Sequence, residues 1–379
     1  MRAHHFTVGD WSLMLHGAAN VQYDHQNGFR GDHQLGLIDW EMLMAAHPLA
    51  GGLFRVNAMT SLEALVDGRQ GYPEVVQTGG VYRGLRLVNY QHPHNLVSEA
   101  AAIYDHSLIS GLAGEIYVAA VGEPALGPVA YMHRPSADAD PFAPISHHWQ
   151  DGAHENFGVI TAGLNTHAMK LEGSVFNARE GDEYYYNLDY QGARLDSYAT
   201  RLTVAPGGNV AVSAWAGYLM AHDRLETQIG MQRYGASVLT SNAIWGHPLS
   251  TAVIWGVDIH HHGSREHNHD PNATGLKFYH EMTSGLVEAT FGLTSKTEIT
   301  GRLEQVLKSG DDLGFLADDL TELFTIQGAS LAITHDVVSK GGFTFALGAR
   351  GAIDRIPQTL RLTYQTTHPS GYSIFLKVR

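Results

Sequence analysis

Polar and apolar side chains alternate position by position in segments of about ten residues, the length that a tilted β-strand needs to cross a membrane. In the clearest segment, one face carries Trp11, Leu13, Leu15, Gly17, Ala19, Val21 and Tyr23. The other face carries Ser12, Met14, His16, Ala18, Asn20 and Gln22. Because successive side chains of a strand point to opposite faces, this pattern predicts one face on lipid and one on a wet lumen.

The connections between these segments are alternately long and very short. A barrel with both termini in the periplasm has short periplasmic turns and long extracellular loops, and an even number of strands. Soluble sandwiches and propellers also alternate along their strands, but they have no reason to sort their connections by length. The sequence predicts an all-β, closed, antiparallel, up-and-down transmembrane barrel of about 16 strands. Residues 1–379 form this single domain, and residues 1–10 lead into it.

Composition is consistent with this fold class. The chain has no run of about 18 apolar residues, so no transmembrane helix is predicted. The mean hydropathy of -0.15 is what half-polar strands and wet loops average to. The net charge of -14 argues against a nucleic-acid partner and favours cations in a lumen that these acids line.

The predicted location is the bacterial outer membrane. The chain begins with Met1-Arg2-Ala3-His4-His5, which is not an export signal, so we expect the sequence to be the mature form without its signal peptide. The expected partners are outer-membrane lipid and lipopolysaccharide, the barrel assembly machinery during biogenesis, and small hydrophilic solutes.

The polar faces of the segments predict a lumen of mixed charge. In the segment Gly36–Ala46, Ile38 and Trp40 share one face, and Asp39 and Glu41 share the other. Barrels of this size leave room for water, and opposite charges across a lumen select permeants by charge. We therefore expect a porin-like channel for passive passage of small solutes or ions. The predicted lumen-lining residues are Arg55, Asn57, Glu63, Lys170, Glu172, Arg201, Glu298, Arg302 and Glu304.

The longest connection, Val121–Glu155, is the least strand-like part of the chain. Its prolines and glycines fix a specific path. It is interpreted either as a constriction folded into the lumen or as a structured cap outside the barrel. Inward folding is favoured because Leu126, Val129, Tyr131 and Trp149 need a surface to pack against.

Histidine is unusually abundant, with 24 residues, as many as lysine and arginine together. Many of them fall in or beside the long connections, which predicts imidazoles converging near the barrel mouth to bind Zn²⁺ or Cu²⁺. The alternative is that histidine is a polar loop residue whose hydrogen bonds hold these loops, so that no cofactor is required and metal binding is adventitious. The candidate ligands are His92, His94, His147, His148, His154, His260, His261, His262, His267 and His269.

The metal interpretation gives a second functional hypothesis, a non-conducting surface receptor or metal-handling protein. Catalysis is not predicted. Asp151 with His154, and Asp105 with His106, are acid–histidine pairs, but neither has the surrounding pattern of a known catalytic site.

Four stretches of the sequence resemble a group of bacterial outer-membrane β-barrel, porin-like proteins. They are WSLMLHGAANVQYDHQ near the start, Gln91-His92-Pro93-His94, VGEPALGPVAYMHRPS from Val121 to Ser136, and His147-His148-Trp149-Gln150-Asp151. The resemblance extends over nearly the whole chain. It implies a barrel in the outer membrane, and it supplies neither a substrate nor catalytic residues.

Overall fold

The computed structural model describes residues 3–190, 194–222, 225, 230–262, 278–315 and 322–379. Its strands are β1 Ala3–Val8, β2 Trp11–Gln26, β3 His33–Leu49, β4 Gly52–Thr60, β5 Tyr72–Tyr82, β6 Leu85–Gln91, β7 Val97–Ile109, β8 Leu112–Gly122, β9 Asn156–Asn165 and β10 Met169–Phe176. They continue with β11 Ser197–Gly207, β12 Val210–Met220, β13 Gly230–Ile244, β14 His247–His262, β15 Phe278–Thr294, β16 Thr297–Ser309, β17 Leu323–Lys340, β18 Phe343–Arg355 and β19 Ser370–Val378.

These strands form a closed barrel. Within the described residues, β2 to β4 and β7 to β19 pair in order with antiparallel neighbours, and β19 pairs with β2 to close a ring of sixteen strands. The predicted fold class is thus confirmed. β19 covers β2 from Gln26 to Ala19, and β1 covers it from His16 to Trp11, so β1 extends β19 in the same direction. The N-terminal strand β1 and the C-terminal strand β19 therefore lie end to end along the same side of β2.

The connections are sorted by length between the two ends of the barrel, as predicted. Strands at one end are joined by tight turns, three of which have two central residues with positive φ: Ala50-Gly51, Trp245-Gly246 and Gly341-Gly342. Such turns match the right-handed twist of a hairpin, and glycine relieves the steric cost at one or both positions. We call this the turn end and the opposite end the loop end.

The loop-end connections carry the remaining regular structure. Between β4 and β7 lie helix α1 (Glu63–Val66) and the β5–β6 hairpin, which the sequence did not predict. Between β8 and β9 lie two 3₁₀ turns, Tyr131–His133 and Pro135–Ala137, and helix α2 (His147–Gln150). The other short helices are the 3₁₀ turns Asp311–Leu313 and Gln358–Leu360 and helix α3 (Arg361–Tyr364). Within the described residues, no helix is long and apolar enough to span a membrane.

The outer surface of the barrel carries the apolar side chains of the strands. Val21, Ile160, Val253, Leu303 and Ile374 are among the exposed hydrophobic residues, each on a different strand. Their neighbours along the strands are buried or half-buried, so the strands have the two-faced character that the alternation predicts. The inner face surrounds polar side chains and also whole segments of chain. These segments determine how much of the lumen is open.

Candidate functional site in the barrel lumen

A charged cavity of about 190 Å³ occupies the lumen toward the turn end. Its lining residues come from β4, β7, β8, β9, β10 and β11 and from the start of the β8–β9 connection. The polar side chains that line it are Arg55, Glu99, Glu115, Tyr117, Glu123, Thr161, Lys170, Glu172 and Arg201. Four of the predicted lumen-lining residues, Arg55, Lys170, Glu172 and Arg201, therefore surround one cavity.

Three basic side chains in this turn-end cavity connect its carboxylates into a network. The guanidinium of Arg55 donates to Asp105 at 2.6 Å and to Glu115 at 2.9 Å. Lys170 Nζ lies 2.9 Å from Glu115 Oε1 and 2.8 Å from Glu172 Oε1. Arg201 donates to Glu172 at 3.2 Å and to Glu123 at 2.7 Å. A solute that enters this cavity meets closely spaced charges of both signs.

The connection between β8 and β9, residues 123–155, lies against the inner face of the barrel, and we call it the inward segment. Ala139 N donates to Thr300 Oγ1 at 3.0 Å, Ser146 Oγ donates to Glu304 at 2.7 Å, and Gln150 donates to Ser284 at 3.2 Å. Thr300 and Glu304 are on β16, and Ser284 is on β15. The predicted lumen residues Arg302 and Glu304 thus contact this segment.

A buried charge network joins the inward segment to the middle of β15 and β16. Arg134 Nε donates to Glu288 at 2.8 Å, and Arg134 Nη1 donates to Asp151 at 2.9 Å. Arg302 donates to the second oxygen of Glu288 at 2.9 Å and to the Phe142 carbonyl at 3.0 Å. The side chains of Arg134 and Glu288 are both 0% exposed. Without Arg134, Glu288 would keep only Arg302 as a basic partner and Asp151 would keep His147, so two buried carboxylates would each lose part of their compensation, which is destabilising.

The β5–β6 hairpin also lies inside the barrel. Lys308 of β16 donates to the Val76 carbonyl at 2.7 Å, and Arg350 of β18 donates to Glu74 at 3.2 Å. Tyr72 packs against Phe142 of the inward segment with ring centroids 5.2 Å apart. Two separate loop-end connections therefore meet within the lumen.

Apolar side chains fill the space between these connections and the barrel wall. One buried cluster joins Leu126 and Ala153 of the inward segment to Trp215 and Ile254 of the wall. A second cluster joins inward-segment residues to the hairpin and to the wall; its members include Ile145, Trp149, Val75, Val76, Met282, Val306, Phe324 and Ile326. The loop-end half of the lumen is therefore occupied by packed chain.

The predicted orientation of β3, with its apolar face toward lipid and its acidic face toward the lumen, is wrong. Ile38 and Trp40 face the lumen instead of lipid: Ile38 clusters with Tyr72 and Phe142, and the ring of Trp40 lies 4.4 Å from that of His133. Asp39, on the opposite face, accepts hydrogen bonds from Ser61 Oγ and Leu62 N, both at 3.0 Å. Apolar side chains are stable in this lumen because the inward segment and the hairpin cover them.

Five of the ten histidines proposed as metal ligands form a continuous array in the inward segment and the residues after β6. The ring centroids of neighbours are 5.3 Å apart for His92 and His148, 5.1 Å for His148 and His147, 5.2 Å for His147 and His154, and 5.4 Å for His154 and His94. In the described part of the chain, no three His, Asp or Glu side chains are already arranged around a metal position. The histidine array is thus a set of adjacent imidazoles and not a preformed metal cage.

Hydrogen bonds hold the rings of this array. His94 Nδ1 lies 2.9 Å from Glu63 Oε2, and His147 Nδ1 lies 2.8 Å from Asp151 Oδ1. Burial lowers the pKa of His147 to about 4, more than the neighbouring Asp151 raises it. Burial also disfavours the charge on His94, but the nearby carboxylates of Glu63, Glu155 and Asp39 together outweigh burial and raise the His94 pKa to about 9. The two rings therefore have different charge states at neutral pH.

The three other predicted lumen-lining residues do not line the turn-end cavity. Glu63 lies at the start of α1 and not on a strand of the wall, because β4 ends at Thr60. Its carboxylate accepts a hydrogen bond from Asp39 N at 3.2 Å, at the edge of β3. Asn57 donates to Glu99 at 3.4 Å, and Glu298 accepts from Arg379 at 3.2 Å.

The histidine group near residue 260 is only partly within the structure. His260, His261 and His262 belong to β14 and not to a loop, whereas His267 and His269 lie outside the described residues. Of the acid–histidine pairs considered for catalysis, Asp151 uses its carboxylate for His147 and Arg134 and only its backbone oxygen for His154. Asp105 is bound to Arg55, at 2.6 Å. Both carboxylates are thus engaged in other contacts.

Comparison with known proteins relates this fold to bacterial porins and channels. No family model matches the chain, and no curated protein matches its sequence. An anion-selective porin from Comamonas acidovorans is similar with a TM-score of 0.58 and 10% identity over 97% of this chain and 99% of that chain. OmpF of Salmonella typhi, in complex with daunomycin, has a TM-score of 0.55 and 10% identity over 99% of both chains. The outer-membrane channel DcaP of Acinetobacter baumannii has a TM-score of 0.55 and 10% identity over 98% of both chains. The resemblance seen in the sequence is confirmed at the level of the fold.

Proposed function

We propose that this protein is a porin-type channel of the bacterial outer membrane for small hydrophilic solutes or ions, and that its inward segment restricts the passage. The observation that carries this proposal is the charged turn-end cavity enclosed by a sixteen-strand barrel. Closed barrels of this size leave an aqueous channel unless loops fill it. The exposed apolar belt and the sorted connections support a position in the outer membrane, with lipid and lipopolysaccharide around the barrel and the long loops outside.

A second candidate function is a non-conducting receptor. The observation behind it is the pair of apolar clusters that pack the loop-end half of the lumen. Neither candidate assigns an enzymatic activity to the chain. The two candidates differ in whether solutes can cross the barrel. In a channel, displacing the inward segment opens a route from the turn-end cavity to the loop end. A receptor needs no such route.

Planar-bilayer recording distinguishes the two functions. We expect purified wild-type protein to show small discrete conductance steps. A variant in which residues 129–150 are replaced by a short glycine–serine linker is expected to show larger steps, because the inward segment is removed while the strands of the barrel wall keep their backbone hydrogen bonds. Heat-denatured protein serves as the control for detergent and lipid. The absence of steps from both folded proteins would favour the receptor.

A further inference from the structure

We propose that five histidines on the outer face of the barrel bind the phosphate groups of anionic phospholipids in the membrane leaflet at the turn end. The proposal rests on the outer-membrane position proposed above and not on conduction. The five residues, which we call the histidine belt, are His4, His47, His106, His247 and His335. They lie on five different strands near the turn end, in an arc that runs from β14 through β17 and β1 to β3 and β7.

The strand pairing places all five rings on the lipid-facing side of the wall. His4 is paired with Leu15 and His335 with Leu347, and both leucines are exposed on the outer face. Paired residues of antiparallel strands share a face. Each of the other three lies an even number of residues from an exposed side chain of its own strand, namely Leu43, Ala102 and Val253.

Aromatic rings accompany the belt. The ring centroids are 4.9 Å apart for Trp11 and His47, 6.1 Å for Tyr104 and His106, 5.4 Å for Phe291 and His247, and 5.6 Å for Phe343 and His4. Such rings collect at membrane interfaces, where the apolar body stays in hydrocarbon and a polar atom reaches water. Imidazole meets the same condition and can also gain a positive charge between about pH 8 and about pH 5. The belt therefore lies at the level of the lipid headgroups.

The charges around the belt favour an anionic partner. Lys296 and Lys340 are exposed at the turn end, beside the strand of His335. Asp10, in the turn between β1 and β2, is exposed and opposes them in part. The acids nearest to the belt along the strands point into the lumen, where arginines bind them: Asp105, Glu298 and Asp336. The outer surface at this level is thus basic, and protonation of the belt makes it more so.

The hydrogen bonds of two belt residues indicate that headgroup binding depends on protonation. His247 Nδ1 donates to the Gly292 carbonyl at 2.8 Å, so Nε2 of the neutral ring is an acceptor. A phosphate oxygen is also an acceptor, and the two atoms repel. A second proton turns Nε2 into a charged donor, which forms a strong hydrogen bond with phosphate. His335 Nδ1 likewise lies 2.9 Å from Thr297 Oγ1, which leaves Nε2 for the headgroup.

Quenching of tryptophan fluorescence by brominated phospholipids tests the proposal. Trp11 and Trp245 lie at the turn end, so they report lipids that sit against this part of the wall. Brominated phosphatidylglycerol is compared with brominated phosphatidylcholine in vesicles that contain the folded protein, at about pH 8 and about pH 5.5. We expect the wild type to prefer phosphatidylglycerol, and this preference to rise about two- to fivefold on acidification.

Three variants separate the belt from the rest of the surface. His5→Gln is the matched control, because His5 adjoins His4 on the opposite face of β1, and the rise should persist in it. Lys296→Gln/Lys340→Gln should lower the preference at both pH values and keep the rise. The rise should be absent from the variant His4→Gln/His47→Gln/His106→Gln/His247→Gln/His335→Gln.

Two results would overturn the proposal. One is a wild-type preference that does not change with pH, a result that needs no variant to fold. The other is a rise that survives in the variant without the belt. Failure of the wild-type protein to enter vesicles of either lipid would instead contradict the outer-membrane position itself, and the belt with it.

Discussion

Replacing Arg134 with alanine is expected to increase the conductance of the reconstituted protein by at least an order of magnitude. Arg134 links Glu288 of the wall to Asp151 of the inward segment, at 2.8 Å and 2.9 Å. Breaking a buried ion pair costs about 3–5 kcal/mol where the other charge is left alone, and the cost here is smaller because Arg302 stays with Glu288 and His147 stays with Asp151. This loss of free energy weakens the contact between the inward segment and β15. It does not weaken the barrel wall, because the strands keep their backbone hydrogen bonds. The segment should therefore leave its packed position before the barrel unfolds.

Two controls separate displacement of the inward segment from general damage. Arg179→Ala removes an arginine from a loop-end pair with Asp196 in which both side chains are about a quarter exposed, 24% and 29%. A pair that is in part open to solvent contributes less to stability than a fully buried one, so the conductance of this variant should match the wild type. The chain has no cysteine, so the pair Ala139→Cys and Thr300→Cys, introduced where Ala139 N bonds Thr300 at 3.0 Å, can be oxidised without side reactions. This disulfide should suppress the effect of Arg134→Ala, and reduction should restore it.

Opposite changes of ion selectivity are expected from Lys170→Gln and Glu172→Gln. The two side chains face the turn-end cavity and lie 2.8 Å apart, so each variant removes one charge of known sign from the same place. Lys170→Gln should shift the reversal potential toward cations, and Glu172→Gln should shift it toward anions. Both are measured in the Arg134→Ala background, where the current is large enough to resolve the difference.

Salt concentration provides the test of the electrostatic mechanism. The Debye length is about 10 Å at 0.1 M salt and about 3 Å at 1 M, so both shifts should diminish at high salt. Shifts of the same sign in the two variants, or shifts that do not depend on salt, would mean that permeating ions do not pass the turn-end cavity.

The sequence was a good predictor of the barrel wall. A strand between lipid and lumen must alternate, and the pattern in Trp11–Tyr23 is reproduced in the structure, where Val21 is exposed while Asn20 and Gln22 are buried. The β5–β6 hairpin was missed for a physical reason. Its strand Tyr72–Tyr82 is surrounded by chain inside the barrel, so its first eight residues are buried on both faces and lack the two-sided pattern.

The interior was harder to predict, because its character depends on which connections fold inward. Ile38 and Trp40 have the apolar character of lipid-facing residues, and only the presence of Phe142 and His133 in the lumen makes their inward orientation stable. Glu63 fits the alternation of the preceding strand, but that strand has already ended at Thr60. The histidine array brings residues near 92 together with residues near 150, because two loops fold against each other. The spacing of residues within one loop cannot predict such a contact.

The occlusion of the lumen is tested most directly by the reactivity of a single cysteine at position 300 toward a membrane-impermeant thiol reagent. Thr300 is fully buried beneath Ala139 of the inward segment. The cysteine of Thr300→Cys should be unreactive in the folded protein in lipid and should become reactive when Arg134→Ala is added. Rapid labelling without the second substitution would show that the inward segment does not cover the wall, and would contradict the account.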